Sequence, residues 1–326
     1  MTKKLSLAFA GTPQIAADLL EGLLVPNDIY EIKIIITQED KPAGKKLALT
    51  PTPVKLVAVT HNLEIFDKSL KENNNEADLL ARFDDLEIDL CVLFAYGAII
   101  SSRLLNMPKY GFWNIHPSSL PRYRGPSPTA YPLIIGEKQT AVTLMQMNEK
   151  LDEGAIIQQH DLKLPPSLMR DELETEVATI AIDIVKQNLM ELHAKGKVSQ
   201  IPQKHTEATY TRLLKKQHGF VSIKALLQAI HGQTLDEEPL IHQQYHIRNN
   251  LPAQTSLQAA QTIYNLYRGL SPWPGIWTEI NTPEGKRRLK LLEMHLDKNS
   301  LVLDTVQLEG KKPTDYATFN RSYTLQ

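Results

Sequence analysis

A chain of 326 residues exceeds the size at which one hydrophobic core usually stops growing, so two domains are expected, and 42% hydrophobic with 22% charged residues excludes a disordered or low-complexity chain. The net charge of −1 supplies no global field for nucleic acid, although 14 Lys and Arg against 11 Asp and Glu from Thr206 onward leave the later part mildly basic. Cys91 is the single cysteine, which excludes a disulfide framework or a cysteine-based metal site within the chain.

In chain order, Leu5 to Ala10 reads as a strand, Gly11 as a turn and Pro13 to Leu24 as a helix. The opening apolar run is too short for a signal-peptide core, and no later run reaches membrane-spanning length, so a cytoplasmic protein is expected. Ile32 to Thr37 is a second strand, and Pro53 to Thr60 and Ala77 to Phe83 have helical spacing on either side of a strand at Leu63 to Phe66. Asp89 to Tyr96 and Gly111 to Ile115 are further strands, Val142 to Met147 and Ala155 to His160 a final strand pair, and Leu173 to His193 a closing helix. Strands alternating with helices at this spacing predict an α/β, doubly wound and mostly parallel sheet, with ligands at the carboxyl ends of its strands.

A first domain is therefore expected over residues 1–194, a polar linker containing Pro202 over 195–209, and a second domain over 210–326. There Trp277 to Ile280, Arg288 to His295 and Leu301 to Leu308 predict a small β-barrel. The polar stretch from Gly232 to Ser256 reads as a surface excursion without evident chemistry. The ten histidines include no pair four apart enclosing a Glu, so no metal site is expected.

The densest chemical signal is Asn114-Ile115-His116-Pro117-Ser118-Ser119-Leu120-Pro121-Arg122-Tyr123-Arg124-Gly125, placed where a strand should end. Alternation puts Asn114 and His116 on one side. An amide donor beside an imidazole suits acyl transfer, where the amide stabilises an oxyanion and the imidazole donates to it or moves protons. Asp152 could orient that imidazole or act as the base. The bland alternative makes Asn114 a turn cap, His116 a hydrogen-bonded core residue and Asp152 the start of a turn before Gly154.

This block, followed by Thr143-Leu144-Met145-Gln146-Met147 and Leu151-Asp152-Glu153-Gly154, resembles the formyltransferase family that uses 10-formyltetrahydrofolate. Ala10-Gly11-Thr12-Pro13, Pro42-Ala43-Gly44-Lys45-Lys46, Thr50 to Lys55, Ala208-Thr209-Tyr210, Ser271 to Gly275 and Val306 to Pro313 extend the resemblance over nearly the whole chain, to the members that formylate initiator methionyl-tRNA. The resemblance implies a Rossmann-like catalytic domain and an oligonucleotide-binding type of barrel. It implies a catalytic triad on Asn114, His116 and Asp152 and folate contacts on Ser118, Ser119, Leu120 and Pro121. Phe94, Tyr96 and Gly97 would wall the pterin pocket. Lys41, Lys45 and Lys46 would reach the tRNA acceptor end, and Lys286, Arg287 and Arg288 would lie along phosphate, in a monomer without metal.

Three positions depart from the family pattern: Lys45 where Arg is common, Ser119 where Leu is usual and Ala155 where Asp is frequent. Three rival readings stand beside the first. They are formylation of an amino-sugar nucleotide, hydrolysis of the folate carrier, and an RNA-binding protein that has lost catalysis.

Overall fold

The computed structural model describes residues 3–43, 48–323 and 325. In chain order the elements are β1 (Leu5–Gly11), α1 (Gln14–Leu23), β2 (Tyr30–Ile36), β3 (Lys41–Ala43), β4 (Ala48–Thr50), α2 (Pro53–Thr60), β5 (Glu64–Phe66) and α3 (Asn73–Asp85). Then come β6 (Leu90–Phe94), α4 (Ser102–Leu105), β7 (Phe112–His116), α5 (Ala130–Ile135), β8 (Gln139–Gln146), β9 (Ile156–Lys163) and α6 (Arg170–Lys195). The remainder is α7 (Ile223–Ile230), α8 (Leu240–Arg248), α9 (Ala259–Leu270), β10 (Ile276–Thr282), β11 (Gly285–Asp297), β12 (Ser300–Leu308), β13 (Thr314–Asp315) and α10 (Tyr316–Ser322).

These elements fall into two compact units. The first comprises Met1–Arg124, Ala141–Leu162 and Glu174–Ala208; the second comprises Gly125–Thr140, Lys163–Leu173 and Thr209–Gln326. In the first unit a seven-stranded sheet runs β5-β2-β1-β6-β7-β8-β9. The strands from β5 to β7 pair in parallel, and β8 is antiparallel to β7. β1 and β6 are buried at every residue, as strands covered on both faces must be. From β1 the chain winds one way to β2 and β5, then the other way to β6 and β7, so a topological switch point lies between β1 and β6.

Local chemistry sets the element boundaries. Thr52 accepts a hydrogen bond from the Lys55 amide at 3.1 Å, and Pro53 occupies the first turn of α2. Lys55 then bridges Asp40 at 2.7 Å and Asp67 at 2.8 Å, tying the loop after β2 to the one after β5. Those two carboxylates raise the Lys55 pKa, so its ammonium stays charged. Cys91 is fully buried, and burial pushes its thiol well above the ordinary range, which makes it inert.

The second unit departs from the expectation of strands alone. An antiparallel sheet ordered β10-β11-β12-β13 is present, but helices α7, α8 and α9 precede it. The Gly232 to Ser256 stretch is not a bare surface excursion, because α8 buries Ile241, His242, Tyr245 and His246. Its stripe was hidden because two of its four members are histidines, which polarity counts as solvent-facing; spaced at one, two, five and six they share a helical face. His242 donates from Nε2 to the Ile134 carbonyl at 3.1 Å, and its Nδ1 has no hydrogen-bond partner among the described residues. Burial lowers the His242 pKa to about 4. Beside it, His246 Nδ1 lies 2.7 Å from Glu238 Oε1 in a buried pair.

Candidate active site

β7 carries the first two candidates. Its five residues are all buried, with Asn114 opposite Leu93 of β6 and Met145 of β8, and His116 opposite Thr143. Strand alternation puts Asn114 and His116 on one face, 8% and 4% exposed. Asp152 comes from the turn between β8 and β9 and is also 8% exposed. Its Oδ1 stands 3.7 Å from His116 Nδ1, so the structure brings imidazole and carboxylate together across 36 residues of sequence.

The tautomer of His116 follows from its other nitrogen. Nε2 lies 2.9 Å from the carbonyl oxygen of Tyr123, which can only accept, so Nε2 carries the hydrogen. In the neutral ring Nδ1 then holds the lone pair that faces Asp152. A proton placed there would make an imidazolium next to a carboxylate, which is the arrangement needed to donate to a developing negative charge.

The segment after His116 folds into tight turns. Ser118 is fully buried; its hydroxyl donates to the Arg122 carbonyl at 2.7 Å, and the Arg122 amide donates to Ser119 at 2.9 Å. Thr143 donates to the Ser118 carbonyl at 2.6 Å, Gln159 donates to that of Leu120 at 3.2 Å, and the Leu120–Pro121 peptide is cis. The expected folate segment is thus fastened to β8 through Thr143 and to β9 through Gln159.

Phe94 and Tyr96 are buried, and the Tyr96 carbonyl accepts from Thr12 at 2.8 Å and from Gln38 at 2.9 Å. Gly97 follows at φ +78°. A cavity of about 530 Å³ opens here, bounded by Gln38, Lys41, Lys68, Lys71, Tyr96 and Gly97, so Lys41 faces the loop expected to wall the pterin pocket. Lys45 and Lys46 lie outside the described residues.

The basic run on β11 belongs to the second unit, and strand geometry divides it. Lys286 pairs with Asn281, Arg287 with Ile280 and Arg288 with Glu279. Lys286 and Arg288 therefore share one face and Arg287 takes the other. The Arg288 guanidinium sits 4.3 Å over the Trp277 ring, a cation–π contact.

Three residues that sequence reasoning left without a role surround Asp152. Arg124 is fully buried, with Nη1 3.2 Å from Glu153 and with Nε and Nη2 donating to Gln203 Oε1 at 3.1 and 2.8 Å. Arg124 Nη2 also lies 3.1 Å from His205 Nδ1, which must accept because a guanidinium only donates. Gln203 Nε2 donates to the carbonyls of Asp152 at 2.9 Å and Gly154 at 2.7 Å. Arg124 carried a signal in lying inside the dense motif; Gln203, in a polar linker, carried none.

Residues 3–189 match the formyl transferase family, and residues 257–300 match the formyl transferase C-terminal domain. The chain belongs to the formyl transferase family. Among its relatives, the methionyl-tRNA formyltransferase of Roseiflexus castenholzii is 33% identical over 98% of this chain and 97% of its own. Formyl transferases of known structure share the fold: the methionyl-tRNA formyltransferase of Clostridium thermocellum has a TM-score of 0.55 at 14% identity, over 93% of this chain and 98% of that one. An N-formyltransferase from Helicobacter canadensis, solved with folinic acid and dTDP-3-aminofucose, has a TM-score of 0.58 at 15% identity, over 94% and 95%. Formyl transferases named for, or solved with, different acceptors therefore lie at comparable distance in fold.

Proposed function

We propose that the chain transfers the formyl group of 10-formyltetrahydrofolate to the α-amine of initiator methionyl-tRNA. The observation that carries this reading is the extent of the likeness, at 33% identity over nearly the full length of a methionyl-tRNA formyltransferase, the second unit included. Formylation of an amino-sugar nucleotide has fold likeness at 15% identity behind it, which does not choose an acceptor.

In the proposed mechanism the neutral amine attacks the formyl carbon and forms a tetrahedral oxyanion. Asn114 donates to that oxygen from its amide, and His116, protonated at Nδ1, donates beside it, because its Nε2 hydrogen is held by Tyr123. Asp152 stabilises the imidazolium and takes the proton that the amine loses, directly or through water. The carrier nitrogen gains one proton as its bond to the formyl carbon breaks, so protons balance and no covalent enzyme intermediate forms.

Ser118 to Pro121 and the Phe94, Tyr96 and Gly97 loop hold the folate, and Lys41, Lys45 and Lys46 meet the acceptor end of the tRNA. Residues 1–194 form the catalytic domain, 195–209 the linker and 210–326 the tRNA-binding domain, where Lys286, Arg287 and Arg288 meet phosphate. The protein acts as a cytoplasmic monomer without a metal; no helix among the described residues is long and apolar enough to cross a membrane.

The test is transfer of labelled formyl from 10-formyltetrahydrofolate to charged initiator tRNA, beside an amino-sugar nucleotide and a reaction without acceptor. Label on the tRNA ester that disappears with Asn114→Ala is the expected result. Label on the sugar, or released as formate, overturns it.

A further inference from the structure

Asp152 adopts φ +54°, a left-handed conformation that is uncommon outside glycine, although Asp enters it more readily than most residues. One end of its turn is fixed by crowding and by the Gln146 amide, which donates to the Ala155 carbonyl at 2.9 Å. At Asp152 itself Gln203 holds the backbone carbonyl. A carboxamide has two hydrogens, and both are used, one on the Asp152 carbonyl and one on the Gly154 carbonyl.

The orientation of that carboxamide is determined from both sides. Gln203 Oε1 faces two guanidinium nitrogens of Arg124, which can only donate, while Nε2 faces two carbonyl oxygens, which can only accept. Flipping the amide would turn all four contacts repulsive. Arg124 also pairs with Glu153, the neighbour of Asp152 in sequence. Asp152, Gln203, Arg124 and Glu153 thus form a closed circuit of hydrogen bonds, an ion pair and one peptide link, shielded from water at the fully buried guanidinium.

We propose that Gln203 is a positioning residue for formyl transfer, whose clamped carboxamide fixes the Asp152 turn and so sets the distance of the Asp152 carboxylate from His116. This rests on Asp152 handling the amine's proton. Gln203 touches no reacting atom and acts only through Asp152.

Two variants separate clamping from folding. Gln203→Glu still accepts from Arg124 but, ionised, has no hydrogen for the two carbonyls; Gln203→Met removes both functions without adding charge. Single-turnover transfer to charged tRNA is expected to fall about 10- to 100-fold in each, the range for a misplaced catalytic group. In an Asp152→Asn background the same substitutions should cost less than about twofold, because the route of action is already gone. Equal losses in both backgrounds, or unchanged transfer in Gln203→Met, would overturn the proposal.

A readout independent of acceptor is the NMR spectrum of the His116 imidazole, whose ring lies 3.7 Å from the Asp152 carboxylate. Gln203→Met should move its ring signals toward those of Asp152→Asn, and unmoved signals count against the clamp. If wild-type protein gives no formyl to tRNA, the acceptor reading fails while this spectrum still decides on Gln203.

Discussion

Asp152 Oδ1 lies 3.7 Å from His116 Nδ1, and the other ring nitrogen of His116 is engaged by the Tyr123 carbonyl. His116 therefore has one ring position, Nδ1, left for proton exchange with Asp152 and substrate. His116→Ala and Asp152→Ala should each lower kcat by about 10²- to 10⁴-fold. The double variant should lose far less than the product of the two, since they act as a unit. Single-turnover transfer of labelled formyl measures all three, and multiplicative losses would show that the residues work separately.

Gly154 closes the Asp152 turn against backbone. A Cβ there would stand 1.7 Å from the Gln146 carbonyl oxygen, which no side-chain rotation relieves. Gly154→Ala should destabilise the first unit by roughly 1–3 kcal/mol, as overpacking does, and should displace Asp152 with a loss of transfer. Urea midpoints together with turnover test this, and a variant with wild-type values of both would refute it.

His242 makes stability depend on acid. Its folded pKa of about 4 lies below the ordinary imidazole value, so the unfolded chain binds the proton more readily. The associated stability is fully present above about pH 6.5 and is lost as pH falls toward 4, to a total on the order of 3 kcal/mol. His246, itself paired with Glu238, and the Ile134 carbonyl face the ring, so the control is comparative. The difference in unfolding free energy between pH 7 and pH 4.5 should shrink in His242→Gln. An unchanged difference would place the acid sensitivity elsewhere.

On β11, Lys286→Ala and Arg288→Ala should each weaken tRNA binding across sequences and reduce the slope of log affinity against log salt by about 1. Arg287, on the other face of the strand, should meet phosphate through a separate contact, so Arg287→Ala should lower the slope independently of the other two. Filter binding at several salt concentrations distinguishes them, and slopes unchanged in all three variants would remove β11 from the RNA interface.

Where hydrophobic periodicity carried the information, the sequence was legible. α2 runs over Pro53–Thr60 as read, because Thr52 and Pro53 mark its start chemically, and continuous apolar runs located β1 and β6 because strands buried on both faces need them. The second unit was read less well. α8 buries two histidines, and α9 buries Thr262, Asn265 and Arg268, so polar letters stood on core faces. Arg268 is satisfied there by the carbonyls of Leu168 and Pro165, both at 2.8 Å, partners about a hundred residues away. At the candidate site, residue types and spacing singled out Asn114, His116 and Asp152 as candidates, and folding brings His116 and Asp152 to 3.7 Å, but the Tyr123 carbonyl and the Gln203 carboxamide meet them from positions that only folding creates.

The segment after α6 does more than connect. Ile201 and Ile156 exchange backbone hydrogen bonds at 2.8 Å in each direction, and Gln203 and His205 supply partners to a guanidinium with no access to solvent. A fragment ended at residue 194 would strip β9 of this pairing and leave the Arg124 charge short of acceptors. Anyone cutting the chain to obtain a minimal catalytic piece should therefore retain residues through 208, and a protease that nicks between 195 and 205 would be expected to silence the enzyme without touching a catalytic side chain.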